Sequence, residues 1–173
     1  MNIIAFFVGI AAVIIYFLGY QQKTRKKIIV FNAASRVLYI LQYILLSAFE
    51  GAVLDVAGII SSVLAQKKDN PVIKKHLNLF IVCVNLFIVL MGFTTYKNIY
   101  SLLPVAGVIL HTSAFWITDE KRIRQVSLLG CPFWLAYNFI SGAYGSVIGD
   151  ALSIVSILIA MYRYDIRPKQ KTI

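Results

Sequence analysis

Two aspartates inside long apolar stretches are the residues of this 173-residue chain that are best placed to do chemistry. Asp55 and Asp150 each lie about five residues inside an apolar run, so a helix would carry each carboxyl group roughly 7–8 Å below its end. A carboxylate at that depth costs a few kcal/mol unless it is paired, hydrated or protonated. The pattern indicates a pair of facing acids that bind a proton, a cation or a polar solute. The structural alternative is a protonated aspartate that is hydrogen-bonded to a neighbouring helix or reached by water.

Small and polar residues surround each aspartate at helical spacing. Steps of three and four place them on one face of a helix, where they let another helix approach closely or line a hydrated cavity. The first stripe consists of Gly51, Asp55, Gly58, Ser61, Ser62 and Ala65, and the second of Ser146, Asp150, Ser153, Ser156 and Ala160.

Two neighbouring apolar runs carry further polar and aromatic side chains. Asn138 has an amide at depth, which needs a hydrogen-bond partner. Arg36 is the only base inside a run; it either pairs with an aspartate or extends to the near end of its helix, and the second arrangement is slightly favoured. Trp134 and Tyr137 are more often packing residues or interface anchors than ligands. The candidate solute-binding residues are Asp55, Asp150, Trp134, Asn138, Tyr43 and Tyr137.

The remaining ionisable and sulfur-bearing side chains do not form a catalytic pattern. His111 is expected to be hydrated near the end of its run, with a proton relay as the alternative, and Glu50 is expected in a solvated turn. Cys83 and Cys131 lie singly in apolar runs, which is typical of small packing residues. The sequence contains none of the common hydrolase, metalloprotease or phosphate-loop motifs. We therefore predict neither an enzyme nor a cofactor or metal site.

The composition is that of a membrane protein. Hydrophobic residues make up 60% of the chain and charged residues 14%, whereas soluble domains are roughly 45–50% apolar. The net charge of +10 comes from bases in the loops between apolar runs. It therefore predicts contact with a lipid bilayer rather than with nucleic acid, and whether the chain forms a homo-oligomer is left open.

Seven apolar runs are long enough, or nearly so, to cross a hydrocarbon core that needs about 20 helical residues. None shows the alternation of a membrane barrel strand, so an all-α polytopic membrane protein with seven transmembrane helices is predicted. The runs cover roughly residues 3–20, 29–47, 51–66, 76–94, 98–117, 124–141 and 145–163.

The basic residues predict an orientation. Fifteen of the 17 follow the first, third, fifth and seventh runs, and Lys97 alone lies in the opposite loops. The excess of Lys and Arg in cytoplasmic loops places the N-terminus outside and the C-terminus in the cytoplasm.

The chain also matches itself at a fixed offset. A shift of 94 positions superposes Leu41 on Leu135 and Gly51 on Gly145, whereas a shift of 95 superposes Asp55 on Asp150 with its whole stripe; both registers stay open. A three-helix unit ends on the side opposite to its start, so one intervening helix gives two parallel repeats. The predicted units are residues 1–70, a linker helix in 71–96, and residues 97–173 with a basic cytoplasmic tail.

The segment CPFWLAYNFISGAYGSVIGDALSIVSILIAMYR at 131–163 resembles the last two helices of the SWEET/PQ-loop (MtN3-like) transporters. WLAYN followed by the pattern G-x-x-G-S-V-I-x-acid-A-x-S-I-x-S is similar to the YgjV-type bacterial inner-membrane proteins, over the whole chain in length and helix count. The resemblance implies a 3+1+3 topology. It places Trp134 at the pore tryptophan, Asp150 at or near the pore asparagine, and Asp55 at the matching position of the first repeat. The chain has no Pro-Gln dipeptide, and acids replace amides, which argues against a sugar as the solute.

These observations predict an inner-membrane transporter of a polar or cationic solute, working by alternating access and with proton linkage left open. The alternative is a receptor or partner-binding protein of the same fold that does not transport. A receptor is expected to keep a pocket open to one side, whereas a transporter exposes its cavity to both sides in turn.

Overall fold

The computed structural model describes residues 2–166, and all the regular structure in that range is helical. Asp165 is therefore the last acid described, while the tail bases Arg167, Lys169 and Lys171 lie outside the described residues. The helices are α1 (Ile3–Tyr20), α2 (Arg25–Leu45), α3 (Phe49–Gln66), α4 (Pro71–Lys75), α5 (Leu77–Thr94), α6 (Leu102–Trp116), α7 (Glu120–Ile140) and α8 (Tyr144–Met161), with a 3₁₀ turn at Ile99–Ser101 before α6 and a π-helical turn at Tyr162–Ile166 after α8.

Short polar residues begin several of these helices. The Asn2 side chain accepts a hydrogen bond from the Ala5 N–H at 3.1 Å, and Asp119 accepts one from the Lys121 N–H at 2.9 Å. Each cap satisfies a backbone donor that the first turn of a helix leaves without a partner. The sequence therefore fixes where α1 and α7 start.

Six of the long helices form a closed ring in which each packs against its neighbours. The order around the ring is α1, α2, α3, α6, α7, α8 and back to α1, while α5 lies outside and packs against α3 and α6. Opposite members are therefore α1 and α6, α2 and α7, and α3 and α8. The space inside the ring is where side chains from opposite helices meet.

The outer surface of the bundle, including α5, is apolar. Val82, Leu86 and Leu90 on α5 expose more than half of their surface, and only 17% of α5 is buried. In water such a surface would be unfavourable by roughly 25 cal/mol per Å² of apolar area. The ring is thus built to face hydrocarbon on the outside and to keep its polar groups inside.

The helix bounds recur 95 positions apart. Helices α2 and α7 both have 21 residues and begin at Arg25 and Glu120, and α3 and α8 both have 18 residues and begin at Phe49 and Tyr144. The turns between them contain Ser47 and Gly142, also 95 apart, with positive φ angles of 56° and 74°. The helices follow the register of 95 and not the register of 94.

Six of the seven predicted spans are long and apolar enough, within the described residues, to cross a membrane. The exception is α7, which begins with Glu120, Lys121, Arg122 and Arg124 and carries polar residues throughout. Helix α7 nevertheless has the length of α2 and closes the ring between α6 and α8. Its buried polar residues are Arg124, Ser127 and Asn138, whereas Lys121 and Arg122 in its first turn are exposed. Both groups make its composition less apolar than that of the other long helices.

Candidate functional site

The two predicted aspartates reach one cavity inside the ring. Each lies six residues after the start of its helix, α3 or α8, so both carboxyl groups lie about 9 Å along the helix axis from that start. Five of the six predicted candidates line the cavity, and Tyr137 does not. The lining residues are Tyr16, Arg36, Tyr39, Tyr43, Asp55, His111, Trp134, Asn138 and Asp150.

Arg36 forms a buried ion pair with Asp55. The Arg36 Nη1 atom lies 2.5 Å from Asp55 Oδ1, and the Nε atom donates to Asn32 Oδ1 at 2.9 Å. Both charged residues are almost fully buried, with 3% and 2% of their surface exposed. The favoured interpretation that Arg36 extends to the end of its helix is therefore wrong, because the carboxylate opposite supplies the partner that its charge needs.

A glycine makes room for this arginine. A Cβ atom at Gly58 would overlap the Arg36 guanidinium. Gly58 follows Asp55 by three residues on the same face of α3, so the small position and the acid meet Arg36 together. The predicted small-residue stripe thus serves close packing of a charged side chain.

Asn138 connects the other aspartate to the opposite half of the ring. Its Oδ1 accepts from the Tyr43 hydroxyl at 2.7 Å, and its Nδ2 donates to Asp150 Oδ2 at 2.7 Å. Asp150 makes no ion pair within residues 2–166. The position 95 residues after Arg36 is Cys131. The two acids therefore differ in their surroundings: one is neutralised by a base and the other has only an amide.

Aromatic rings cover one wall of the cavity. The Tyr43 ring stacks with Trp134 at a centroid distance of 6.2 Å and an interplanar angle of 16°, and with Tyr39 at 6.4 Å and 29°. Tyr137 packs edge-on against Tyr43 and Trp134. The Tyr137 hydroxyl accepts a hydrogen bond from the Gly51 N–H at 3.0 Å and lies outside the cavity. Tyr137 therefore has the surroundings of a packing residue, and they do not support a role as a direct ligand.

Contacts across the ring close the end of the bundle that holds the α2–α3 and α7–α8 turns, here called the hairpin end. The Ser146 hydroxyl donates to Gln42 Oε1, and Gly51 donates to Tyr137. Gln42 and Tyr137 lie 95 residues apart, as do Gly51 and Ser146. Position 51 favours glycine, because a Cβ atom there would lie only 2.9 Å from the Tyr43 ring.

An ion pair adds to this closure. Glu50 is only 8% exposed and lies 3.0 Å from Lys97. The expectation that Glu50 is solvated is wrong, because the turn before α6 brings the one basic residue of these loops against it.

His111 and Tyr16 lie at the opposite end of the cavity. The His111 Nε2 atom is 2.9 Å from the Ser127 carbonyl oxygen and 3.4 Å from the Tyr16 hydroxyl, which is itself 3.2 Å from the Tyr20 hydroxyl. His111 is 3% exposed, so the expected hydration near a helix end is wrong. Since the carbonyl oxygen only accepts, Nε2 carries the hydrogen.

Sequence reasoning did not select four lining residues as ligands: Arg36, His111, Tyr16 and Tyr39. Tyr16 and His111 lie 95 positions apart and touch each other across the ring. The register of 95, applied to every polar residue, would have found this pair. Tyr39 matches Trp134 in the same register.

Basic side chains cap the helices at the other end of the bundle, here called the basic end. Arg25 donates to the carbonyl oxygens of Phe115 at 2.6 Å and Ala65 at 2.5 Å. Lys68 donates to the Thr118 hydroxyl at 2.7 Å, and burial together with the nearby Arg25 charge lowers the pKa of Lys68. These bases satisfy carbonyl groups that the ends of α3 and α6 leave open.

The cavity between the two closed ends is small. Its volume is about 30 Å³, which is close to the share of one water molecule in the liquid. A water molecule or a small ion fits without movement of the helices. A larger solute requires the ring to open.

An apolar exterior around a buried charged interior defines an integral membrane protein of the all-α class. The chain belongs to the Imp-YgjV family, described as bacterial inner membrane protein, whose model matches residues 3–167. The bacterial inner membrane is therefore the location of the protein. No curated protein and no solved structure matches the chain.

Proposed function

We propose that this protein is a transporter that moves a small polar or cationic solute across the inner membrane by alternating access, with Asp150 as the binding carboxylate. The observation that carries the proposal is the difference between the two acids. Asp55 is neutralised by Arg36, whereas Asp150 lines the same cavity without a cationic partner in residues 2–166. A partly buried carboxylate without a base inside a membrane protein favours an incoming cation or proton.

The proposed architecture has seven membrane spans in a SWEET-like 3+1+3 order. Residues 1–70 and 97–173 form two parallel repeats, and residues 71–96 hold the linker helix. The shared offset of 95 in helix bounds, in the two positive-φ turns and in the Tyr16–His111 and Tyr43–Asn138 contacts supports this duplication. The position of α5 outside the ring agrees with a linker role.

The two closed ends suggest the moving parts. The proposal puts the hairpin end outside and the basic end in the cytoplasm, as the distribution of Lys and Arg predicts. Opening of the first end breaks the Gln42–Ser146 and Gly51–Tyr137 contacts, and opening of the second breaks the contacts of Arg25. We assign the structure, with contacts at both ends of the bundle and a cavity of about 30 Å³, to the state between the two openings.

Cysteine labelling from each side of the membrane tests the proposal. In a chain with Cys83→Ser and Cys131→Ala, a single Tyr39→Cys substitution places a thiol in the cavity. An impermeant maleimide is expected to label it in both right-side-out and inside-out vesicles. Leu86→Cys on the exposed face of α5 is the matched control and should stay unlabelled from both sides, because it faces lipid.

The outcome also separates transport from the alternative receptor role. Labelling of Tyr39→Cys from one side only would refute alternating access and favour a receptor whose pocket opens to that side. The proposal involves no enzymatic step, since the sequence contains no catalytic motif.

A further inference from the structure

We infer that the cavity is a binding site for one small organic monocation with an ammonium head group, whose counter-ion is Asp150. The inference names the solute class for the proposed transport and rests on the same cavity. It follows from the charge balance, the free hydrogen-bonding atoms, the aromatic wall and the size of the site.

When Asp150 is ionised, the lining residues carry one negative charge without a partner. Arg36 and Asp55 neutralise each other at 2.5 Å, and Asn32 holds the guanidinium from its other side. Asp150 adds a second carboxylate, whose one hydrogen bond within residues 2–166 comes from the Asn138 amide. One monovalent cation balances this arrangement. An anion would add to the excess, and a divalent cation would reverse it.

Hydrogen-bonding atoms of the right kind remain free. Asp150 bonds Asn138 through Oδ2, and its Oδ1 makes no hydrogen bond within residues 2–166. The Tyr39 hydroxyl also lines the cavity without a hydrogen bond in that range. Neither atom is among the fully buried polar side-chain atoms that lack a hydrogen-bond partner in residues 2–166. Both oxygens accept hydrogen bonds, which matches the N–H donors of an ammonium group.

The aromatic wall favours an organic cation over a metal ion. The Tyr43, Tyr39 and Trp134 rings line the cavity, and aromatic rings attract alkylammonium groups through cation–π contacts. A hard metal cation instead needs a shell of oxygen ligands. Within residues 2–166, no three His, Cys, Asp or Glu side chains come together in a way that could hold a metal ion.

The volume sets the size of the head group. About 30 Å³ of space is close to the share of one water molecule, so it accommodates an ammonium head group. Methylammonium carries that head group with the smallest organic substituent, whose methyl group needs the cavity wall to move. A longer amine would extend towards Tyr16 and His111 and would need a wider cavity. Methylammonium is therefore the probe of choice.

Tryptophan fluorescence measures this binding directly. The chain has two tryptophans, so Trp116→Phe leaves Trp134 as the only reporter, and it lies in the cavity wall. Purified full-length protein in nanodiscs is titrated with methylammonium chloride at constant pH and ionic strength, with sodium chloride as the salt control. We expect a saturable change with methylammonium and none with sodium.

Two acid variants locate the site. Asp150→Asn is expected to weaken methylammonium binding at least tenfold, whereas Asp69→Asn, in an exposed loop, should leave it unchanged. Equilibrium binding of radiolabelled methylammonium to the native chain provides a second readout if the Trp116→Phe chain does not fold.

The results distinguish this inference from the proposed transport. Three results would overturn the ammonium site: no saturable binding, an equal response to sodium, or full binding by Asp150→Asn. Alternating access would then still be decided by the labelling test. Binding that depends on Asp150, combined with labelling of Tyr39→Cys from one side only, would keep the site and refute transport.

Discussion

The Tyr43 hydroxyl donates a hydrogen bond to Asn138 Oδ1 over 2.7 Å and so joins two opposite helices of the ring, α2 and α7. The two residues lie 95 positions apart. Because the amide oxygen is occupied by Tyr43, the Asn138 Nδ2 group is left to face Asp150 Oδ2. One tyrosine in the first half of the chain thus sets the orientation of the amide that contacts the free carboxylate in the second half.

Tyr43→Phe tests that role. The substitution keeps the ring against Trp134 and removes the donor to Asn138, so we expect the free energy of unfolding to fall by about 1 kcal/mol. Tyr96→Phe, at an exposed position, is the control and should change stability little. Thermal unfolding in the same detergent compares the two. Equal stability of both variants would mean that the hydrogen bond contributes nothing.

The Arg36–Asp55 pair makes a prediction about single and paired substitutions. Arg36→Met or Asp55→Leu alone leaves one buried charge without its partner and should destabilise the protein by about 3–5 kcal/mol. The double variant removes both charges and should be more stable than either single variant. Unfolding by sodium dodecyl sulfate in mixed micelles measures all three. A double variant as unstable as the sum of the singles would contradict the pairing.

The sequence singled out Asp55 and Asp150 as candidate interior acids, but it left open whether they face one cavity. Asp55 and Asp150 were recognisable because intramembrane carboxylates are costly and because small residues at steps of three and four put each acid on an inward face. The spacing alone shows which residues of a helix share its polar face. Which stripes face each other depends on the order of helices around the ring, and no local pattern contains that order.

Arg36 illustrates this limit. Arg36 lies within reach of the end of its helix, where water is available. Extension of the side chain to the helix end was therefore a reasonable prediction. Its partner Asp55 follows 19 residues later on another helix, and the contact exists only because Gly58 allows the guanidinium to approach. His111 is a similar case, since a carbonyl on α7 and a hydroxyl on α1 replace the expected water. Tertiary contacts decided both positions.

Gly58→Ala should disturb the arginine specifically. The added methyl group would occupy the space of the Arg36 guanidinium, and we expect the free energy of unfolding to fall by about 1–3 kcal/mol, as in other overpacked interiors. The matched control is the same substitution in an Arg36→Met, Asp55→Leu background, where the more flexible methionine can yield. Thermal unfolding measures the loss of stability caused by Gly58→Ala in the native chain and in the double variant. An equal cost in both would place the clash elsewhere.

The two turns of the hairpin end give a pair of opposite predictions. Ser47 has a φ of 56°, which costs a non-glycine residue about 1 kcal/mol, so Ser47→Gly should stabilise the protein by a fraction of that amount. Gly142 has a φ of 74° and open space around its Cα, so Gly142→Ala should destabilise it by about 1 kcal/mol through the backbone alone. Thermal unfolding gives both signs, and two shifts in the same direction would contradict the assignment.

The basic end carries a second buried ion pair, whose loss should release the π-helical turn Tyr162–Ile166. Arg124 Nη1 lies 2.8 Å from Asp165 Oδ1, with the two side chains 3% and 5% exposed, and the Tyr164 ring lies under the guanidinium at 5.2 Å. Asp165→Asn removes the charge that holds this turn on α7. We expect trypsin to cut after the exposed Arg163 at least tenfold faster in the variant, because local opening limits cleavage of a folded segment.

Mass spectrometry of the fragments provides the internal control for that experiment. Cleavage after Lys74, in the exposed helix α4, lies far along the chain from Asp165 and should keep its rate. A variant that is cut faster at both sites would have lost global stability instead of the local contact. Unchanged cleavage after Arg163 would show that Tyr164 and the end of α8 hold the turn without the ion pair.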